Sequence, residues 1–230
     1  MSLILQIETA TTSCSVALAR YGEVLDFKEI NARNIHAEVI TLYIDELLNN
    51  SGIQYSDIDA IAVSSGPGSY TGLRIGVSTA KGLCFALDKP LIAIETLEAM
   101  AFGVINNPGF FEDSNTLLCP MIDARRMEVY TALFDSEGIR VRETAADIID
   151  ENSFADYLKD KKIIFFGDGA EKCKSVLSHN PNARFLDDFV NSATYLTQKA
   201  AQKFADGAFE DVAYYEPYYL KDFIAGKKAL

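Results

Sequence analysis

The second half of this chain restarts the first, and that repetition limits the possible folds more than any single motif does. Leu3 to Ile7 is an apolar run of strand length that ends at the acid Glu8 and a hydroxyl-rich turn, Thr9-Ala10-Thr11-Thr12-Ser13. Ser15 to Ala19 reads as a second strand, Arg20-Tyr21-Gly22 as a turn, and Val24 to Ile30 as a third strand. From Leu117 the pattern returns: a strand to Ile122 that ends at Asp123, a second over Glu128 to Phe134, the turn Ser136-Glu137-Gly138, and a third from Ile139 to Glu143. The acid and the turn glycine keep nearly the same spacing in both copies, Glu8 with Gly22 and Asp123 with Gly138, which makes internal duplication plausible without residue-level identity.

Each meander is followed by alternating helices and strands. The first half offers a helix over Ile35 to Leu48, a strand over Ile58 to Val63, a helix over Leu73 to Leu87, a strand over Pro90 to Ile94 and a helix over Thr96 to Val104. The second offers a helix near Ser153 to Leu158, a strand over Ile163 to Phe166, a helix opened by Gly167-Asp168-Gly169-Ala170 and a final helix over Ala193 to Asp206. These elements predict a duplicated α/β fold of the actin and hexokinase type, built from two ribonuclease H-like lobes. Asn106-Asn107-Pro108-Gly109 is the expected boundary, giving a first lobe over 1–107 that carries the interaction helices and a second over 108–230, with the packing of its last residues back on the first lobe left open. The tail Tyr214-Tyr215-Glu216-Pro217-Tyr218-Tyr219-Leu220 is expected to pack down across a lobe, since four tyrosines seldom stay together in solvent.

The stretch Ser64-Ser65-Gly66-Pro67-Gly68-Ser69-Tyr70-Thr71-Gly72-Leu73-Arg74-Ile75-Gly76 ends a buried strand and opens a helix. Its glycines and hydroxyls admit two readings. One is a phosphate cradle at a helix N-terminus, although the Walker lysine is absent and the spacing is not Gly-x-Gly-x-x-Gly. The other is close packing. Gly76 and Gly82 each cost roughly 1 kcal/mol against alanine inside a helix, so they call for a close neighbour, within the domain or on a second protein. The preceding helix has a narrow polar face, Glu38, Thr41, Asp45 and Asn49, opposite a wide apolar one extended by Ile35 and Leu42. It reads as packed on two sides.

With 33 acidic and 21 basic residues the formal charge is −12, which repels a phosphate backbone and argues against nucleic-acid binding by the chain alone. Cys14, Cys84, Cys119 and Cys173 form no Cys-x-x-Cys pair, so buried thiols are expected in place of a zinc site or disulfides. No apolar run approaches the ~18 residues of a membrane span, and a cytoplasmic location is expected.

The opening Ile7-Glu8-Thr9-Ala10-Thr11-Thr12-Ser13-Cys14-Ser15-Val16-Ala17-Leu18, the Ser65 to Gly76 stretch, Asp123-Ala124-Arg125-Arg126-Met127-Glu128-Val129-Tyr130 and Glu216-Pro217-Tyr218-Tyr219-Leu220 together resemble the TsaB (YeaZ) family. The resemblance covers almost the whole chain. It implies a non-catalytic bacterial partner and activator in threonylcarbamoyladenosine modification of tRNA. The chemistry would belong to a sister of similar fold, TsaD, with the ATPase TsaE completing the assembly. ATP and metal are then expected on those partners, with no catalytic residue, metal or cofactor on this chain. Transfer RNA would be met only through the complex, and the chain alone would form a homodimer.

The sister carries His-x-x-x-His after the strand that follows its own Gly-Pro-Gly motif, whereas Thr96 and Met100 stand at those places here. A hydroxyl and a thioether do not replace two imidazoles. Glu8 stands where many relatives have Asp, which further disfavours nucleotide hydrolysis. The expected docking contacts are Ile40, Ile44, Leu47, Leu73, Val77 and Lys81, and a vestigial nucleotide cleft is expected around Glu8, Thr9, Asp123, Gly167 and Gly169. The alternative is an ATP-dependent actin-like enzyme that uses Glu8 and Asp123 around a magnesium nucleotide. A peptidase would need Ser69 activated by a base, and His36 fills that role only if the fold brings the two together.

Overall fold

The computed structural model describes residues 2–107 and 115–221. Pro108 and Gly109 of the expected lobe boundary lie outside the described residues. The first lobe contains β1 (Leu3–Glu8), β2 (Ser13–Arg20), β3 (Glu23–Asn31), α1 (His36–Ser51), β4 (Ala60–Ser64), α2 (Tyr70–Leu87), β5 (Leu91–Ile94) and α3 (Thr96–Ile105). The second contains β6 (Thr116–Asp123), β7 (Glu128–Phe134), β8 (Arg140–Ile148), α4 (Ala155–Leu158), β9 (Lys162–Phe166), α5 (Lys174–Leu177) and β10 (Ala183–Leu186), followed by α6 (Thr197–Ala205).

The two sheets have one topology. The first runs β3-β2-β1-β4-β5 and the second β8-β7-β6-β9-β10. In each, the meander is antiparallel and the last two strands lie parallel to the first. The duplicated two-lobe fold of the actin and hexokinase type is therefore present. Strand alternation then builds the layers. Leu3, Leu5 and Ile7 of β1 face α1 and α2, while Ile4 faces Ala99 of α3 together with Leu196 and Ala200. The far side of α3 presents Leu97, Met100 and Val104 to Leu118, Ile122 and Phe166 of the second sheet. A helix apolar on every side suits this central layer, where both lobes bury it.

Several elements depart from the sequence reading. The helix expected from Leu73 starts at Tyr70, because the Ser69 hydroxyl accepts from the Gly72 amide and caps it. The segment after Gly169 forms a 3-10 turn, Glu171–Cys173, and a single α turn in place of one helix. The helix expected from Ala193 likewise opens with a 3-10 turn over Ala193–Leu196. The short edge strand β10, which carries one arginine among four residues, had no strong pattern to announce it.

Residues 193–221 return to the first lobe. Glu210 N–H donates to the Leu91 carbonyl, Lys81 Nζ donates to the carbonyls of Ala213 (3.2 Å) and Tyr215 (2.9 Å), and Tyr218 N–H donates to Ser65 at 2.7 Å. The Tyr219 ring packs at a tilt of 37° against Tyr70 with centroids 4.9 Å apart. The aromatic tail thus straps the start of α2.

Candidate functional site

The end of β1 is closed from within. Glu8 is 1% exposed. Its Oε1 accepts from the Ala10 amide (2.6 Å) and the Ser64 hydroxyl (3.1 Å), so the longer side chain folds back on its own loop. Burial pushes its carboxyl up to about 7, against the lowering effect of those hydrogen bonds. Above it, Gly68, Gly72 and Gly76 stand at a spacing of four and press on the β1–β2 loop. A Cβ on Gly68 would meet the Ala10 Cβ at 2.8 Å, one on Gly72 the Thr9 carbonyl carbon at 3.3 Å, and one on Gly76 the Thr9 Cβ at 3.4 Å. The neighbour that Gly76 requires is therefore the chain's own first loop. Gly82 has nothing within 4 Å and faces solvent.

Two of the amides that the phosphate-cradle reading needs are already taken at this junction. Ser69 N–H donates to the Ala10 carbonyl at 2.7 Å, and the Gly72 amide is taken by the Ser69 hydroxyl. His36 is buried with Nε2 at 3.1 Å from the Ser13 carbonyl, and among the described residues no hydrogen bond joins it to Ser69.

In the second lobe Asp123, Gly167 and Gly169 do gather. The Gly169 amide donates to the Met121 carbonyl at 3.0 Å, and the Asp123 amide donates to Asp168 Oδ1 at 3.0 Å. Lys172 pairs with the Asp123 carboxylate and donates to the Glu128 carbonyl at 2.7 Å, so an internal ammonium already serves this acid. Among the described residues no hydrogen bond or ion pair links Glu8 or Thr9 to Asp123, and no cluster of three His, Cys, Asp or Glu side chains could hold a metal ion. On α3, the Thr96 hydroxyl accepts from the Gly66 amide at 3.1 Å, and Met100 is buried against Gly167. The four cysteines are buried and free, and burial pushes the thiols of Cys14, Cys84 and Cys119 up to about 12.

The expected docking contacts need correction. Ile40, Ile44, Leu47, Leu73 and Val77 are between 0% and 3% exposed, because these sides of α1 and α2 cover the first sheet. Lys81 is spent on the tail carbonyls. The exposed positions of the same helices include Thr71, Arg74, Ser78, Gly82, Phe85 and Ala86 on α2, and on α1 Ala37, Thr41 and Leu42 beside the polar Glu38, Asp45, Glu46, Asn49 and Asn50. Phe85 is 86% exposed and Leu42 56%. The spacing of Arg74, Ser78, Gly82 and Phe85 at near-helical intervals carried this stripe in the sequence. Salt bridges and aromatic contacts join the lobes behind it, chiefly Glu95 with Arg140, and Phe189 with Phe166 and Tyr195.

The family model described as TsaD, tRNA N6-adenosine threonylcarbamoyltransferase, matches residues 29–226. The tRNA threonylcarbamoyladenosine biosynthesis protein TsaB of Escherichia coli is 32% identical over 230 residues, covering 98% of this chain and 97% of the relative. The chain belongs to the TsaB (YeaZ) family. Within the structures solved for that family, YeaZ from Pseudomonas aeruginosa superposes with a TM-score of 0.81 at 26% identity, covering 96% of this chain and all of that one (100%). The similarity of this chain to a transferase is local but high. The tRNA N6-adenosine threonylcarbamoyltransferase of Bacillus subtilis is 49% identical over 75 residues, 33% of this chain and 21% of the relative.

Proposed function

We propose that this chain is the non-catalytic partner and activator of a TsaD-type threonylcarbamoyl transferase in the threonylcarbamoyladenosine modification of tRNA. The observation that carries the reading is the pair of exposed apolar side chains, Phe85 and Leu42, on the two helices whose other faces cover the first sheet. A phenyl ring 86% exposed beside a bare glycine surface is a site for a partner, not for solvent. The occupant is the equivalent helix pair of the transferase, since a relative with a stretch 49% identical to this chain can meet it through like surfaces. In the absence of that sister the same stripe pairs with a second copy. A TsaE-type ATPase completes the assembly, ATP and metal reside on the partner proteins, and the complex works in the cytoplasm.

The internally bonded Glu8 and the lysine on Asp123 support a scaffold role over ATP turnover by this chain. The test is reconstitution of the modification with and without the chain, read by mass spectrometry of the nucleoside and by metal analysis of each subunit. The expected result is activity that needs both proteins, with metal on the transferase alone. A chain that transfers the carbamoyl group unaided, or that stays monomeric and never co-elutes with the transferase, overturns the reading.

A further inference from the structure

The two copies of the first hairpin loop have opposite fates. In the first lobe, the loop after Glu8 is buried beneath α2. In the second, the loop after Asp123 stands in solvent and carries Arg125 and Arg126 at its tip. Both arginines have left-handed backbone, with φ of 73° and 50°. Side chains with a Cβ adopt that region rarely, and hairpin loops that need successive positive φ usually hold Asn-Gly. Two arginines here oppose the local backbone preference, and strain of this kind concentrates where a side chain is needed for function.

The surrounding charges show what the arginines are free to do. Lys172 is paired with Asp123, and Lys221 with Glu128 at 2.5 Å. Asp168 is engaged by the Asp123 amide. Among the described residues neither Arg125 nor Arg126 has an ion pair, while Asp123 and Glu128 on the flanking strands are each matched by a lysine, so the guanidinium groups remain available. Arg125 and Lys221 also act electrostatically on the Tyr130 hydroxyl, which places these groups at one corner. In a chain of net charge −12 this is a local exception.

We propose that the Arg125-Arg126 hairpin is the point at which this chain touches the phosphate backbone of the RNA within the modification complex. The inference rests on the function proposed above, which supplies the RNA. Planar guanidinium forks grip phosphate oxygens in pairs, a geometry that lysine does not reproduce. Phosphates at this corner meet the two arginines without first displacing a carboxylate, whereas the rest of the acidic surface repels RNA.

The test uses the chain assembled with its transferase and an unmodified tRNA transcript whose substrate adenosine lies beside the anticodon. The double variant Arg125→Asn with Arg126→Gly installs the residues that the loop backbone favours, so folding is protected. It is expected to weaken RNA binding about tenfold near 0.1 M salt and to lower the slope of log affinity against log salt by about 1 to 2. Co-elution with the transferase is expected to stay intact. Replacing both arginines with lysine should recover part of the affinity and most of the salt slope. Unchanged RNA affinity and slope in the Asn-Gly variant overturn the proposal. Loss of co-elution at unchanged RNA affinity also overturns it and makes the hairpin a protein contact. A wild-type chain that fails to assemble with the transferase refutes the functional reading itself, and this inference with it.

Discussion

Replacing Gly72 and Gly82 separately by alanine distinguishes packing inside the chain from surface kept open for a partner. Both glycines lie in α2, so each substitution gains up to ~1 kcal/mol of helix propensity. At Gly82 nothing lies within 4 Å of the new methyl, and that gain stands alone. At Gly72 the methyl falls inside van der Waals distance of the Thr9 carbonyl oxygen, with the carbonyl carbon at 3.3 Å and Ser69 Cβ also at 3.3 Å. The obstacle is backbone, so the β1–β2 loop must move. Overpacking of this kind costs about 1–3 kcal/mol, at times more, and outweighs the helix term. A shift of 1 kcal/mol moves the melting temperature of a chain this size by about 2–4 °C. Gly82→Ala should therefore melt about 2–4 °C higher than the parent, and Gly72→Ala several degrees lower. Differential scanning calorimetry or thermal circular dichroism measures both. A Gly72→Ala chain as stable as the parent would refute the claim that α2 clamps the first loop.

Other outcomes follow from the same geometry. Burial pushes the Glu8 carboxyl up to about 7 from its ordinary 4.5, so between those pH values the native state holds the proton that the unfolded chain releases. Stability should fall by on the order of 3 kcal/mol as pH rises through that window and level off above it. Glu8→Gln should flatten the fall, and denaturant titrations at pH 5 and pH 8 measure it. Phe85→Ser should leave the melting temperature nearly unchanged yet weaken co-elution with the transferase at least about 30-fold, as removal of a central anchor does. Equal binding would move the docking face elsewhere. Lys81→Met removes two of the tail's hydrogen bonds, those to Ala213 and Tyr215, and should speed proteolytic clipping after residue 210 at little cost in global stability, as timed digestion would show.

Much of the fold was legible because it is carried by local order. The strands that end at Glu8 and Asp123, the turns at Gly22 and Gly138, and the Gly-Pro-Gly entry to α2 all write their structure into adjacent residues. The site was less legible. An apolar wheel identifies a helix that packs, but not which apolar side chains reach the sheet. Ile40 and Leu42 look alike in sequence, and only the docking angle of α1 buries one and exposes the other. Gly72 and Gly82 are equally bare on paper, yet a loop some sixty residues earlier presses on one and nothing presses on the other.

By itself, then, the amino-acid order determined a doubled α/β architecture, four thiols without a pairing pattern, and a strongly acidic chain. Tertiary structure alone decided which residues of 193–221 meet the first sheet, that Lys172 neutralises Asp123, and that Phe85 remains open. The physical reason is range. Strand, turn and cap depend on neighbours a few residues apart, whereas burial and charge pairing depend on which distant surfaces meet once both sheets have closed around α3.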